Sequence, residues 1–293
     1  MRLRFIISSL CCAALLVACQ PEPLALKLNE PPPKLVIASQ AAPGQVLVVT
    51  VSKSFSALEY NEQEVDEEDS TNVDNTQEIN ALLNQFLVSN ALVTVTFDGR
   101  TETLTQVEKG IYASLNINQN PGTEYELRVI DQASGLEVTS RATFLERARF
   151  ESVEARRKEE VGTELVEVTY AFEDEPGPNW YVLTFYSEDP EEPEFTSLQY
   201  QTGRTEVVLI ADNGGNEGII SGTEKLYQWE QDSMAVSVSN ISQEYYNYLQ
   251  QWKKRNNSPG DLLSEPVTLP TNIRNGYGFF TTHYPDVRVL SLK

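Results

Sequence analysis

Basic residues, histidine and cysteine are what this chain of 293 residues has least of. Its 22 Lys and Arg stand against 43 Asp and Glu, with one His and three Cys, for a formal net charge of −21. That balance excludes nucleic acid as a partner, because phosphates are held by Lys and Arg and so acidic a chain repels them. With His283 as the only histidine, a Ser-His-Asp triad would hang on one residue, and a histidine metal site would need carboxylates from elsewhere. His283 is expected at a strand entrance and not in a catalytic role. No Walker loop, dinucleotide fingerprint or nucleophile elbow occurs in the sequence. Carboxylates are too plentiful to single out an acid–base pair. The chain therefore reads as non-enzymatic and free of cofactors. What it has in quantity is apolar surface, 40% hydrophobic and 9% aromatic residues, enough to bury a core.

Arg2 and Arg4 precede an uncharged apolar stretch from Phe5 to Val17, a secretory signal too short to span a bilayer. Leu16-Val17-Ala18-Cys19 resembles the lipobox of bacterial lipoproteins. Residues 1–18 are then removed and Cys19 carries lipid; an ordinary signal cleaved near Ala18 is the alternative. Cys11 and Cys12 leave with the signal, so disulfides, thiolate catalysis and cysteine metal sites are excluded from the remainder. Gln20 stands where an Asp would favour the inner membrane, which points to an outer-membrane address reached through the lipid. Residues 19–34, with Pro21, Pro23 and Pro31-Pro32-Pro33, read as an extended spacer.

From Leu35 the pattern becomes strand-like. Leu35–Ala38 and Val46–Val51 flank the turn Ala42-Pro43-Gly44, and strands are expected at 91–97, 100–107, 111–117, 124–130 and 137–144, with turns such as Asp98-Gly99 and Ser134-Gly135 between them. This spacing predicts an immunoglobulin-like β-sandwich over 35–147. It is interrupted by Glu59–Glu78, which holds nine carboxylates and no Lys or Arg and reads as a mobile loop. An amphipathic helix follows, with Ile79, Leu82, Leu83, Phe86 and Leu87 on one face. Charge reverses across Glu146–Lys158, placing a domain boundary there. A second β-rich domain, 148–293, has strands at 164–172, 180–186, 205–210, 235–240 and 287–292. Its one amphipathic helix is capped by Ser242, carries Tyr245, Tyr248, Leu249 and Trp252 as a stripe, and ends in Lys253-Lys254-Arg255.

The order of these segments resembles Bacteroidota outer-membrane lipoproteins of domain-of-unknown-function family 4249. The resemblance is carried by the lipobox cysteine, the strand at Gly44–Val51, Asn90–Val95 and the Gly110-Ile111-Tyr112 turn. It is most specific at Glu265–Phe280, where a Tyr-rich helix leads to Asn272-Ile273, Asn275-Gly276 and Gly278-Phe279-Phe280. This chain has Phe279 where the family pattern has Tyr, and a long acidic loop. The resemblance implies an accessory subunit of a TonB-dependent receptor or another outer-membrane complex, and implies no catalytic residues. The alternative is a ligand-binding lipoprotein for a peptide, glycan or metal chelate, with Trp180, Tyr181, Trp229 and Trp252 as stacking surface.

Candidate partner or ligand residues are Glu67, Glu68 and Asp69 in the acidic loop and Asn272, Asn275, Tyr277 and Phe279 near the terminus. The bland reading of the terminal set is structural: Asn and Gly supply left-handed turns, and the aromatics anchor the loop. Asp66–Asp69 and Asp212–Glu217 are oxygen-rich enough to suggest calcium, and neither has EF-hand spacing. A solvated charge run and a hairpin turn are the simpler readings. Asp69-Ser70-Thr71 and Asp232-Ser233-Met234 resemble the Bacteroidota O-glycosylation pattern, making Ser70 and Ser233 candidate acceptors. The acidity itself is concentrated: ten carboxylates lie in Ser54–Gly99 and twelve in Glu159–Gly203, stretches without Lys or Arg.

Overall fold

Strict alternation of apolar and polar residues builds most of the molecule. In Glu124–Asp131 the side chains of Tyr125, Leu127, Val129 and Asp131 point inward while their neighbours face outward, the two-residue period of a half-buried strand. The computed structural model describes residues 32–42, 46–54, 84–117, 120–186, 205–213, 218–256 and 269–292. Within the unit Pro33–Lys293, the fold is mainly β and sandwich-like, as the sequence led us to expect.

The first half contains β1 (Leu35–Ala42), β2 (Val46–Lys53), β3 (Ala91–Phe97), β4 (Arg100–Thr103), β5 (Thr105–Glu108), β6 (Ile111–Ser114), β7 (Glu124–Asp131) and β8 (Glu137–Thr143). One sheet runs β1-β2-β6-β5 and the other β4-β3-β7-β8. They enclose a core built on Ile37, Val49, Tyr112, Val95 and Leu127, each 1% exposed or less. Burying one such side chain stabilises by roughly 1.5–3 kcal/mol.

The second half contains β9 (Phe150–Glu160), β10 (Thr163–Asp174), β11 (Pro178–Tyr186), β12 (Thr205–Asn213), β13 (Gly218–Tyr227), β14 (Ser233–Ile241), helix α1 (Gln243–Asn256), β15 (Tyr277–Phe279) and β16 (Asp286–Ser291). Sheets β13-β10-β9 and β12-β11-β14-β16 close over Phe172, Tyr181, Leu183, Phe185 and Val236, none of them exposed. Helix α1 covers the outer face of the second sheet through Tyr246, packed with Val182 and Ile241.

Four expectations need correction. Strand β9, into which the charged stretch Glu146–Lys158 runs from Phe150 on, has no counterpart among the expected strands and pairs with β10 along nearly its whole length. Its charges are an edge strand's outer face, held by Lys158–Glu167 and Lys225–Glu160 ion pairs across the sheet. Strand β13, also polar, has no counterpart among the expected strands. The expected strand 100–107 is two strands in different sheets, separated at Leu104, which is buried in the core at 4% exposure. Finally, Tyr181 and Trp229 are core residues, so those rings form no open stacking platform; Trp252 alone of the four is largely exposed. Of the expected helix at 79–87, residues 84–86 are helical, Leu87 bridges to Ser52, and the rest lies outside the described residues.

Candidate functional site

The segment Thr271–Thr281 begins more than 200 residues after β1, yet it builds the first sandwich. Strand β15 pairs in parallel with β1, Ile37 opposite Gly278. On its other side Arg274 exchanges backbone hydrogen bonds with Thr139 of β8. The segment thus bridges the edges of both sheets, leaving neither β1 nor β8 a free edge here. Backbone and side chains fix it in place. The Ser39 hydroxyl donates to the Thr281 carbonyl at 2.8 Å and accepts from its amide at 2.7 Å. The Asn272 carboxamide accepts from the Phe280 amide at 2.9 Å and donates to its carbonyl at 2.7 Å. Asn275 takes a left-handed φ of 66°. A Cβ on Gly276 would lie 2.6 Å from the Leu35 carbonyl oxygen, and one on Gly278 1.9 Å from that of Ile37. The Asn-Gly-Tyr-Gly run is thereby explained by close backbone approach.

Beyond β15 the chain meets α1. Phe279 is buried between Tyr245 and Tyr248, with ring centroids 5.0 and 5.3 Å away. His283 stacks against Tyr245 at 5.7 Å and shares a 3.3 Å contact with the Thr281 hydroxyl. Burial lowers the His283 pKa to about 4, so the ring is neutral near neutral pH. Burial also raises the hydroxyl pKa of Tyr245. The N-terminus of α1 is capped as the sequence predicts, the Tyr245 amide donating to the Ser242 hydroxyl at 3.2 Å.

Where this segment, the β14–α1 junction and the end of β8 meet, they leave a recess of about 260 Å³. Asn272 and Phe279–His283 form one wall, Asn240–Ser242 a second, and Ala142, Thr143 and Leu145 a third. Glu124, Arg141 and Glu244 complete the lining. Arg141 is ion-paired with Glu126 at 3.3 Å and with Glu124 at 3.7 Å. Asn240 lies in β14 and Thr282 in the chain beyond β15, and no local sequence pattern marks either.

The predicted site residues divide. Asn272 lines the recess, but its amide holds the segment together. Phe279 is buried as packing. Asn275 is exposed, and Tyr277, 42% exposed, lies under the Lys34 ammonium at 4.9 Å. Ser233 begins β14, opposite Ser291. Asp212 is buried in β12. Cys19, Asp66, Glu67, Glu68, Asp69, Ser70 and Gly214–Glu217 lie outside the described residues. Among the described residues no group of three or more His, Cys, Asp or Glu is placed to hold a metal ion, and no helix is long and apolar enough to cross a membrane.

No curated protein matches the chain. A family model described as domain of unknown function (DUF4249) matches residues 21–286, and the chain belongs to that family.

Proposed function

We propose that the protein is a non-enzymatic, lipid-anchored outer-membrane lipoprotein of Bacteroidota type, an accessory subunit of a TonB-dependent receptor or another outer-membrane complex. The observation that carries this reading is the lipobox Leu16–Cys19 followed by a proline-rich spacer and a folded body, an arrangement that tethers a binding module to a bilayer surface. The one histidine supports the non-enzymatic part, since its ring is committed to packing against Tyr245. Lipid incorporation that survives Cys19→Ser, or a protein recovered from detergent-solubilised membranes solely as a free monomer, would sink the proposal. Co-purification of an outer-membrane β-barrel with the wild type is the expected result. Charge reversal at Glu67, Glu68 and Asp69 is expected to weaken that association. A second reading, a ligand-binding lipoprotein, draws support from the recess, whose polar wall is built from residues of both halves of the chain.

A further inference from the structure

The edge of a sheet offers unpaired N–H and C=O groups to any strand that can reach it, and most edges of this fold are covered or short. The terminal segment closes β1 and β8. Strands β9 and β16 are tied together, Asp286 accepting from the Phe150 amide at 2.9 Å and the Arg157 guanidinium donating to the Leu292 carbonyl at 3.2 Å. Lys253 of α1 donates to the Val207 carbonyl of β12 at 2.6 Å, and β4 and β5 have four residues each. Strand β13 differs from all of these. It is ten residues long, contains no proline, pairs with β10 along its whole length without a bulge, and has no strand on its other side among the described residues. Its lysine, Lys225, does not guard the edge as a free charge, because Glu160 holds it across the sheet at 2.7 Å.

The side chains of β13 match a second copy of the same strand. Its outward row is Ile219, Ser221, Thr223, Lys225 and Tyr227, all exposed, with Ile219 at 50% and Tyr227 at 47% among the most exposed large apolar residues of the chain. These two stand four residues on either side of Thr223. A two-fold axis through Thr223, normal to the sheet, pairs β13 antiparallel with itself and sets Ile219 of each copy opposite Tyr227 of the other, an aromatic and β-branched pair of the kind that stabilises sheets. Thr223 meets Thr223, Lys225 meets Ser221, and on the inner face the half-buried Glu224 meets Gly222, which has no side chain to crowd it. No like charges stand opposite one another. The neighbouring symmetric registers lack this match. Centring on Glu224 sets two carboxylates face to face, and centring on Gly222 sets Ile219 against Lys225 and leaves Tyr227 past the end of the strand.

We propose that the β13 edge is a self-association surface, on which a second copy of this chain pairs through β13 about Thr223 and joins the two β13-β10-β9 sheets into one of six strands. The inference stands independently of the accessory role proposed above. One strand wide, the contact belongs with the smaller specific interfaces, so the dimer depends on concentration. The test is sedimentation velocity of the full chain in detergent across a concentration series. A reversible dimer is expected. Thr223→Lys places two ammonium groups opposite one another and is expected to weaken it by about tenfold or more while leaving the melting temperature of the monomer little changed, since Thr223 is exposed. Thr223→Cys tests the register. Opposed Cβ atoms lie about 4.5–5.5 Å apart, close to disulfide reach, so mild oxidation is expected to link the two copies through position 223. Ser221→Cys, whose copies stand roughly 14 Å apart along the strands in this register, is expected to stay unlinked, with the unsubstituted chain as the control for its own cysteines. A monomer at every concentration overturns the proposal, the edge then being left to an extended segment of another protein. A dimer indifferent to Thr223→Lys, or one that Ser221→Cys links in place of Thr223→Cys, also overturns it. If Thr223→Lys does not fold, the two cysteine variants decide.

Discussion

Gly278 occupies a position that no other residue fits. Its φ is +92° and a Cβ there would overlap the Ile37 carbonyl, so Gly278→Ala must push β15 off β1. Urea unfolding of this variant is expected to show a loss of about 3 kcal/mol or more; a loss below about 1 kcal/mol would mean that the β1–β15 pairing is dispensable. His283 offers a pH signature. Its folded pKa, about 4, lies below the ordinary value, so between roughly pH 6.5 and 4 the unfolded chain binds the extra proton. Stability conferred by the neutral ring is therefore complete above pH 6.5 and lost as pH falls to about 4, by about 1–3 kcal/mol for a partly exposed ring. His283→Gln should flatten that slope in urea titrations run across the window. Asp131 acts in the same sense, in a lower pH range. Burial pushes its carboxyl up, but hydrogen bonds from Lys53, Ser134 and the Ala133 amide outweigh that and hold it below the usual carboxylate range. Its contribution is present above the ordinary carboxylate pKa and disappears in stronger acid, which separates the two groups experimentally.

At the scale of elements, the terminal segment depends on one carboxamide. Asn272→Ala removes both bonds to Phe280 and a 3.3 Å bond to the Arg141 carbonyl. A loss of about 2–3 kcal/mol is expected, with faster hydrogen exchange at the Phe280 and Thr281 amides than elsewhere in the fold. Elements with a local signature were legible in the sequence: β2, β3, β7 and β8 alternate or run apolar between turns, and α1 has a cap and an aromatic stripe. Strand β9 was not, because an edge strand exposes one face to water and can carry Arg156, Lys158 and Glu160 there without cost; the inward-facing Phe150, Val153 and Ala155 are too small a signal beside them. The change of sheet at Leu104 was hidden because the alternation of Thr101, Thr103, Thr105 and Val107 runs on through it and reads the same whether or not the chain bends. The terminal Asn-Gly-Tyr-Gly pattern announced a turn, but its pairing with β1 depends on residues more than 230 positions away, and no local pattern encodes a distant partner. The recess is illegible for the same reason: its lining is drawn from β8, β14, α1 and the chain beyond β15.

At the scale of the molecule, the halves are fastened at two places. Asp286 accepts from Arg147, Arg288 and the Phe150 amide, and Arg147 stacks on Tyr284 at 4.2 Å, which ties the connection after β8 to β16. Asp286→Ala takes the carboxylate from Arg147 and Arg288 and leaves the Phe150 amide unmet, and a drop of about 2–4 kcal/mol in thermal or urea unfolding is expected. The second fastening is the insertion of Thr271–Thr281 into the first sandwich. A fragment ending at residue 147 loses Ile273 and Phe280 from its core and exposes the edges of β1 and β8; it is expected to aggregate in size-exclusion chromatography, whereas a soluble monomeric fragment would show the terminal segment to be dispensable. The same insertion imposes an order in time. Ser39 and Thr281 are 242 residues apart, so in a chain delivered N-terminus first, at the ribosome or through an export channel, the partner of β1 arrives long after β1 itself. Throughout that interval the first sandwich waits half-closed, and a folding helper that shields β1 until the last residues arrive would matter more to the yield of this protein than any single contact in its finished core.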